Sequence, residues 1–429
     1  MKLLLKNGRV IDPASGMDAI ADVLVEEGKI IAVGQALPAN DAETVDCTGK
    51  VVAPGLIDMR VHLREPGLEA KEDVASGTRA AAAGGFTMVC CMANTKPVVD
   101  SSILVEGLQE RARREGAVRV GVIGALSKGL EGKELAEIGD MKLSGAVAIS
   151  DDGHHVTKTN LFKAGLEYAA MFDCLVISHA EDEALVEGGH MHEGAVSAIL
   201  GIPGRPAVAE DIAISRDIML AEYTGAPLHI AHVSTKGSVE IIRAAKQRGV
   251  KVTAEATPHH LTLTDEAVYG YNTATKVNPP LRSADHLAAL RAGLKDGTID
   301  VIASDHAPHA FEEKDVEYRY APSGFAGLET SLGVILTELY HTGEFTLPEI
   351  IERMSTRPAR VLGVAGGSLQ VGAAADITVF DPDRAWTVEC AKFYTRGKAS
   401  PFADRNLKGQ AVLTVVAGKI VMRDGQVTA

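Results

Sequence analysis

Apolar, strand-like runs alternate with amphipathic, helix-like segments through the middle of this 429-residue chain, and this alternation most constrains its fold. Runs such as FTMVCCM, VRVGVIGA and SGAVAIS are followed by segments such as SILVEGLQERARREG and TNLFKAGLEYAAMF. A strand followed by a helix, repeated about eight times over ~310 residues, is typical of a closed parallel barrel. The sequence therefore predicts an α/β fold with a TIM-like (β/α)8 barrel over residues 54–365.

Short strands separated by turns occupy both ends of the chain. LLLKNGRVID and DVLVEEGKIIAVG lie near the start, and DITVFDPD and AVLTVVAGKIVMRDG lie near the end. Glycine and Asp-Pro punctuate these runs, as they do in hairpins. We therefore expect residues 1–53 and 366–429 to form one small β-sandwich domain.

Histidines and aspartates stand where several of the central apolar runs end. These residues are His62, Asp152, His179, His232 and Asp305. Taken singly, a histidine at a strand end is usually structural, and an aspartate there often caps the next helix. Taken together, three imidazoles and two carboxylates at the functional end of a barrel favour a metal site that suits Zn²⁺. His306 is interpreted as an orienting neighbour of Asp305.

Composition excludes several classes of function. A net charge of −14 and an aromatic content of 4% argue against binding of nucleic acid. No stretch approaches the roughly 18 uncharged apolar residues that a membrane span needs. Five cysteines without a C-x-x-C pair, and no signal-peptide pattern at the start, predict a cytosolic protein.

Motifs along nearly the whole chain resemble those of one enzyme family. They include PGLIDMRVHLREPG, MANTKP, SDDG, SHAE, HVSTKG, AEATPHHL, NPPLR, ASDHAPH and GFAGLET. The set is similar to that of bacterial dihydroorotases of the class I type, in the amidohydrolase superfamily. LREPG, followed by the Asn-Thr segment and DHAPH, is far more specific than the general H-x-H pattern of the superfamily.

The resemblance implies an activity and a set of roles. The activity is the reversible cyclisation of N-carbamoyl-L-aspartate to L-dihydroorotate in de novo pyrimidine (UMP) synthesis, with one or two Zn²⁺ ions. Asp152 would take the place of the carboxylated lysine of the related hydantoinases and would bridge the ions if there are two. Asp305 would be both a metal ligand and the proton carrier, beside the ligands His62, His179 and His232. The substrate carboxylate would bind Arg64, Asn94 and His309, and the pyrimidine edge would meet Asn278.

The chain departs from the family pattern at two positions. Family members have histidine where this chain has Arg60, and usually proline where it has Ala93. Arginine cannot ligate a cation, because it stays protonated and offers only donors. Arg60 is therefore open to three interpretations: a substitution in an otherwise active enzyme, a natural variant that works with one metal ion, or the mark of an inactive homologue. We expect weak or metal-dependent activity.

Two other functions remain open at this stage. One is a cyclic amidohydrolase of the hydantoinase or allantoinase type, which would not need a free carboxylate on its substrate. The other is an inactive, dihydroorotase-like partner of aspartate transcarbamoylase, an enzyme with which such dihydroorotases can assemble. A homo-oligomer, most simply a dimer, is also expected. The segment HAFEEKDVEYRYAPSGFAG, residues 309–327, is charged and ends in glycines, so we interpret it as a mobile cover over the site.

Overall fold

The computed structural model describes residues 2–39 and 41–428 and contains two large sheets. The strands are β1 (Lys2–Asp12), β2 (Met17–Glu26), β3 (Lys29–Gly34), β4 (Glu43–Asp46), β5 (Val51–Pro54), β6 (Leu56–Val61), β7 (Phe86–Cys91), β8 (Arg119–Gly124), β9 (Ala148–Ile149), β10 (Leu175–Ser178), β11 (Met191–His192), β12 (Gly204–Arg205), β13 (Leu228–Ile230), β14 (Val252–Ala256), β15 (Val301–Ile302), β16 (Ile377–Thr387), β17 (Asn406–Val416), β18 (Lys419–Arg423) and β19 (Gln426–Val427). The α-helices are α1 (Val74–Ala83), α2 (Ser102–Glu115), α3 (Ile138–Leu143), α4 (Thr159–Ala170), α5 (Glu183–Val186), α6 (Ala195–Leu200), α7 (Val208–Thr224), α8 (Lys236–Gln247), α9 (Pro258–Thr262), α10 (Ala284–Asp296), α11 (Phe311–Lys314), α12 (Leu328–Ile335), α13 (Leu347–Ile351) and α14 (Arg357–Leu362).

Eight parallel strands form the barrel. Their order is β6-β7-β8-β9-β10-β13-β14-β15, and a parallel bridge between Val61 and His306 joins the chain after β15 to β6. The strands are almost continuously buried because helices cover their outer faces and side chains fill the interior. The predicted fold class, a TIM-like barrel with a small β-domain, is confirmed.

Both ends of the chain meet in the second sheet, which has nine strands. Strand β5 connects the two ends, since it pairs in parallel with β1 and antiparallel with β16. Apolar side chains from both ends, among them Leu3, Val52, Val379 and Leu413, pack into one core beside this sheet. Because β5 is followed after a single residue by β6, this sheet is attached directly to the first strand of the barrel.

Helices begin just beyond the strand ends and restrain the positions of the residues between them. Helix α8 begins after Thr235, whose hydroxyl accepts a hydrogen bond from the backbone N–H of Ser238. Its inner face buries Val239, Ile242 and Ala245 against the barrel. The loop that carries His232 is therefore held between β13 and a capped, packed helix. Among the described residues, no helix is both long and apolar enough to cross a membrane.

Candidate metal centre and active site

The predicted strand-end residues meet in one cavity of about 230 Å³ at the C-terminal mouth of the barrel. The cavity is lined by His62, Arg64, Asn94, Asp152, Gly153, His179, His232, Asn278, Asp305, Ala307, His309, Ser323 and Gly324. All nine residues that the sequence assigns to metal, substrate or proton transfer are in this set. Parallel strands bring them together because their carboxyl ends open at the same end of the barrel.

Asp152, His179 and His232 form a buried cluster that can hold a metal ion. One donor atom from each lies within 4.8 Å of the others. His179 Nδ1 is 2.8 Å from His232 Nε2 and 3.9 Å from Asp152 Oδ1. Burial, and then the charge of Arg60, lower the pKa of both histidines well below the usual value. Neutral imidazoles beside a carboxylate are the donors that a divalent ion such as Zn²⁺ prefers.

His62 faces two carboxylates across the same cavity. Its Nε2 is 3.4 Å from Asp152 Oδ2 and 3.4 Å from Asp305 Oδ1. Its Nδ1 lies 2.9 Å from Asn94 Oδ1, an atom that can only accept a hydrogen bond. This contact places the imidazole proton on Nδ1 and leaves the lone pair of Nε2 directed toward the carboxylates. Asn94 therefore orients His62 as well as lining the cavity.

Arg60 lies fully buried between two carboxylates. Its Nε donates to Glu255 Oε1 at 2.6 Å, and its Nη1 donates to Asp152 Oδ1. The remaining nitrogen, Nη2, is buried without a hydrogen-bond partner among the described residues. Burial raises the pKa of Glu255, but the charges and hydrogen bonds of Arg60 and His229 together outweigh this effect and lower the pKa to about 2. A guanidinium thus lies inside the cluster of candidate metal ligands.

The loop that contains Ala93 closes without a proline. Ala93 is fully buried, and its carbonyl accepts hydrogen bonds from the N–H groups of Thr95 at 2.8 Å and Val99 at 3.1 Å. These bonds set the turn that presents Asn94. The difference at residue 93 is therefore compatible with the site.

Arg64 and His309 lie side by side at the cavity wall. Arg64 Nε donates to the carbonyl of Pro308 at 3.2 Å, and its Nη2 is 3.3 Å from His309 Nε2. Burial, and then the charge of Arg64, lower the pKa of His309 to about 3, so this imidazole is neutral at physiological pH. His309 Nε2 lies 2.8 Å from the carbonyl oxygen of Ser323, so the single N–H of the neutral ring is directed there. Arg64 is the fixed cation at this wall that is suited to binding a carboxylate.

Asn278 is held by a charged network that sequence reasoning missed. Its Oδ1 accepts from Arg205 Nη1 at 2.7 Å, and its Nδ2 lies 3.2 Å from Glu181 Oε2 and 3.3 Å from His179 Nε2. Asn278 therefore contacts a candidate ligand as well as the cavity. Its role at the pyrimidine edge stays a prediction.

Glu255 and Glu72 are two further residues that the sequence analysis did not single out. Glu255 could have been noticed as a carboxylate inside the buried run KVTAEAT. Glu72 Oε2 lies 3.2 Å from His306 Nε2, while His306 Nδ1 accepts from the N–H of Gly327. His306 thus points away from the cavity, and its carbonyl accepts from the N–H of His62 at 2.7 Å. It ties together the two loops that carry His62 and Asp305.

The backbone is strained at three of the site residues. Arg64, His232 and Asp305 have φ angles of 61°, 30° and 51°. Residues other than glycine rarely adopt this left-handed region, and such strain concentrates at functional sites. The surrounding packing therefore holds these three side chains in orientations that a relaxed loop would not select.

The cover segment, residues 309–327, contributes His309, Ser323 and Gly324 to the cavity. Two buried lysines hold it in place: Lys276 lies outside the segment and attaches it to the barrel, whereas Lys314 lies within the segment and bonds to another part of it. Lys276 Nζ donates to the carbonyls of Tyr318 at 3.0 Å and Arg319 at 2.9 Å, and Lys314 Nζ donates to that of Pro322 at 2.7 Å. The segment therefore lies over part of the site, and its mobility stays a prediction.

We expect Lys276→Met to loosen the cover segment, because the carbonyls of residues 318 and 319 lose their donor. Cleavage by trypsin after Arg319, an exposed residue, should become about threefold faster or more. The control is Lys133→Met, which removes an exposed lysine whose amine pairs with Glu131. Equal cleavage rates in both variants would show that Lys276 does not hold the segment.

Comparisons with known proteins agree with this geometry. The family model described as Dihydro-orotase-like matches residues 49–238, and that of the Amidohydrolase family matches residues 246–422. The dihydroorotase of Trichlorobacter lovleyi is 56% identical over 98% of this chain and 99% of its own length. The dihydroorotase of Pelotomaculum thermopropionicum is 55% identical over 99% of both.

Solved structures show the same architecture. An L-hydantoinase (dihydropyrimidinase) from Arthrobacter aurescens superposes with a TM-score of 0.90 at 28% identity, covering 100% of this chain and 97% of its own. A dihydropyrimidinase from Brevibacillus agri gives 0.87 at 26% identity, with coverages of 100% and 96%. The barrel and the groups at its strand ends define the protein as an amidohydrolase that acts on cyclic amides. Within that class, the chain belongs to the dihydroorotase family.

Proposed function

We propose that this protein catalyses the reversible cyclisation of N-carbamoyl-L-aspartate to L-dihydroorotate. The observation that carries the proposal is the meeting, in one cavity, of a metal-ligating cluster, the free carboxylate Asp305 and the cation Arg64. This combination supplies what the reaction needs: activation of water, transfer of a proton and recognition of a carboxylate. The relatives named dihydroorotase support the same activity.

Zn²⁺ is the ion that we propose for Asp152, His179 and His232, because imidazole and carboxylate donors suit it. When bound, such an ion lowers the pKa of water and polarises an amide carbonyl. His62 and Asp305 would complete its surroundings, with Asp152 as the shared ligand if a second ion were present. Asn94 and Asn278 would hold His62 and His179 in orientation through the contacts described above.

Asp305 is the proposed proton carrier. In the hydrolytic direction it takes a proton from the attacking water and returns it to the ring nitrogen as the amide bond breaks. In ring closure the two transfers reverse. Asp305 is only slightly exposed, and its position 3.4 Å from His62 keeps it at the cavity wall where water and substrate meet.

Arg64 is the proposed clamp for the substrate carboxylate, together with Asn94 and His309. Its guanidinium can grip both carboxylate oxygens at once. Within residues 2–39 and 41–428, Arg64 makes a 3.2 Å bond to a backbone carbonyl and a contact with neutral His309, and it forms no ion pair with a carboxylate. The cation is thus available for a negatively charged ligand.

The first experiment is to measure hydrolysis of L-dihydroorotate by the Zn²⁺-loaded protein. We expect weak but measurable turnover, and no turnover of hydantoin or allantoin, which have no carboxylate for Arg64. Arg64→Met should raise KM for L-dihydroorotate by ~10- to 100-fold, since a charge-assisted pair is lost. The KM of Arg64→Lys should lie between those of the wild type and Arg64→Met, because lysine keeps the charge but cannot bind both carboxylate oxygens as the guanidinium does.

The structural similarity to hydantoinases favours one alternative activity. Turnover of hydantoin with a KM that Arg64→Met does not change would favour that alternative. An inactive partner of aspartate transcarbamoylase would instead co-elute with that enzyme and show no turnover even in excess Zn²⁺. A dimeric state, such a complex and the cytosolic location stay predictions of the sequence.

A further inference from the structure

We propose that Arg60 is a permanent cation built into the metal centre, and that it limits this chain to one divalent ion per site. This inference deepens the proposed function and rests on an ion being bound by Asp152, His179 and His232. It does not depend on the identity of the substrate. Its basis is the position of the Arg60 guanidinium inside the donor cluster.

Arg60 occupies one of the two carboxylate oxygens of Asp152. A carboxylate that bridges two ions through both of its oxygens needs each oxygen free for one ion. Here Asp152 Oδ1 already accepts a hydrogen bond from Arg60 Nη1, while Oδ2 faces His62 Nε2 at 3.4 Å. Oδ2 also lies 3.5 Å from Asn94 Nδ2, and it is the oxygen of Asp152 that Arg60 leaves for an ion. With Oδ1 held by the guanidinium, a bridge through both oxygens cannot form.

The carboxylates at the site limit how much positive charge it can hold. Asp152, Glu255 and Asp305 supply three carboxylates in or directly beside the cavity. One guanidinium from Arg60 and one divalent ion balance them, and Arg64 is left for the substrate carboxylate. A second divalent ion would leave excess positive charge in a buried region, which is unfavourable unless it is paired.

Arg60 is anchored through both its side chain and its backbone. Its Nε is 2.6 Å from Glu255 Oε1, and the other oxygen of Glu255 lies 3.2 Å from His229 Nε2. Its backbone N–H donates to Asp58 Oδ1 at 3.0 Å. The whole side chain is buried, so all of these contacts are made away from solvent.

The test is the metal content of chelator-stripped, Zn²⁺-reloaded protein, measured by elemental analysis. We expect one ion per chain in the wild type and two in Arg60→His, because histidine frees Asp152 and adds a donor. Arg113→His is the matched control, since it places a new imidazole at an exposed position and should bind no additional ion. Two ions in the wild type, none in the wild type, or one in Arg60→His would each overturn the inference.

A second variant tests the charge argument without adding a ligand. Arg60→Met leaves Glu255 and Asp152 without their partner, so the metal-free variant should melt lower than the metal-free wild type by roughly 5 °C or more. It should also gain more in Tm from Zn²⁺ than the wild type does, because the ion then supplies the missing charge. Equal melting temperatures and equal gains would contradict the inference.

The two proposals fail in different ways. One ion in the wild type and two in Arg60→His, with no turnover of L-dihydroorotate by either, would refute the proposed function and leave this inference standing. Turnover of L-dihydroorotate by a wild-type protein that holds two ions would support the proposed function and refute this inference.

Discussion

Replacing Arg60 with histidine is expected to raise kcat for L-dihydroorotate by ~100-fold or more. The guanidinium contributes positive charge but cannot ligate an ion or activate water. An imidazole at the same position faces Asp152 and Glu255, releases Asp152 Oδ1 from its pair with Arg60, and adds a donor to the cavity. Initial rates of the Zn²⁺-loaded wild type and variant, compared at saturating substrate, measure the effect.

Arg60→Gln is the control for this prediction. It removes the charge and the pair with Asp152 but adds no imidazole, so kcat should stay within about tenfold of the wild type or fall. An unchanged or lower kcat in Arg60→His, with intact folding and increased metal content, would contradict the prediction. That result would mean that Arg60 itself takes part in turnover.

Asp305→Asn is expected to lower kcat by ~10²- to 10⁴-fold, because the amide cannot accept and return the proton. The change preserves shape, and asparagine tolerates the left-handed backbone of this position, where φ is 51°. Folding should therefore be preserved. Steady-state rates in both reaction directions should fall together, since the same group carries the proton each way.

The matched control for Asp305→Asn is Asp404→Asn, an exposed aspartate with a φ of 61°. It should leave kcat unchanged. Metal content should also be unchanged in Asp305→Asn, because Asp152, His179 and His232 remain. A variant that binds its metal normally and keeps more than a tenth of the wild-type kcat would show that Asp305 is not the proton carrier.

The five strand-end residues illustrate how much of the site the sequence predicts. His62, Asp152, His179, His232 and Asp305 all reach one cavity. Their convergence follows from periodicity alone, since eight alternating strands and helices close only with their strand ends at one mouth. The sequence could not show that His62 Nε2 has Asp152 on one side and Asp305 on the other, because side-chain direction depends on loop backbone angles.

The environment of Arg60 could not be predicted from the sequence. The sequence marks it as an unexpected cation, but it leaves three interpretations open. The pairing with Glu255 joins residues 195 positions apart in the chain, and Glu255 carried no signal beyond its place in a buried strand. Only the closed barrel brings the two together.

The sequence by itself therefore determined the barrel, the β-domain made from both ends, the family and the residues at the strand ends, because each depends on a local period or on motif order. The tertiary structure alone decided which side chains contact one another. Arg60 pairs with Asp152 and Glu255, Asn94 contacts His62, and Glu72 contacts His306. The physical reason is that a hydrophobic pattern depends on residues close together in the sequence, whereas a buried charge pairs with a residue that the folded barrel brings next to it. Such pairs form because an unpaired buried charge is energetically costly.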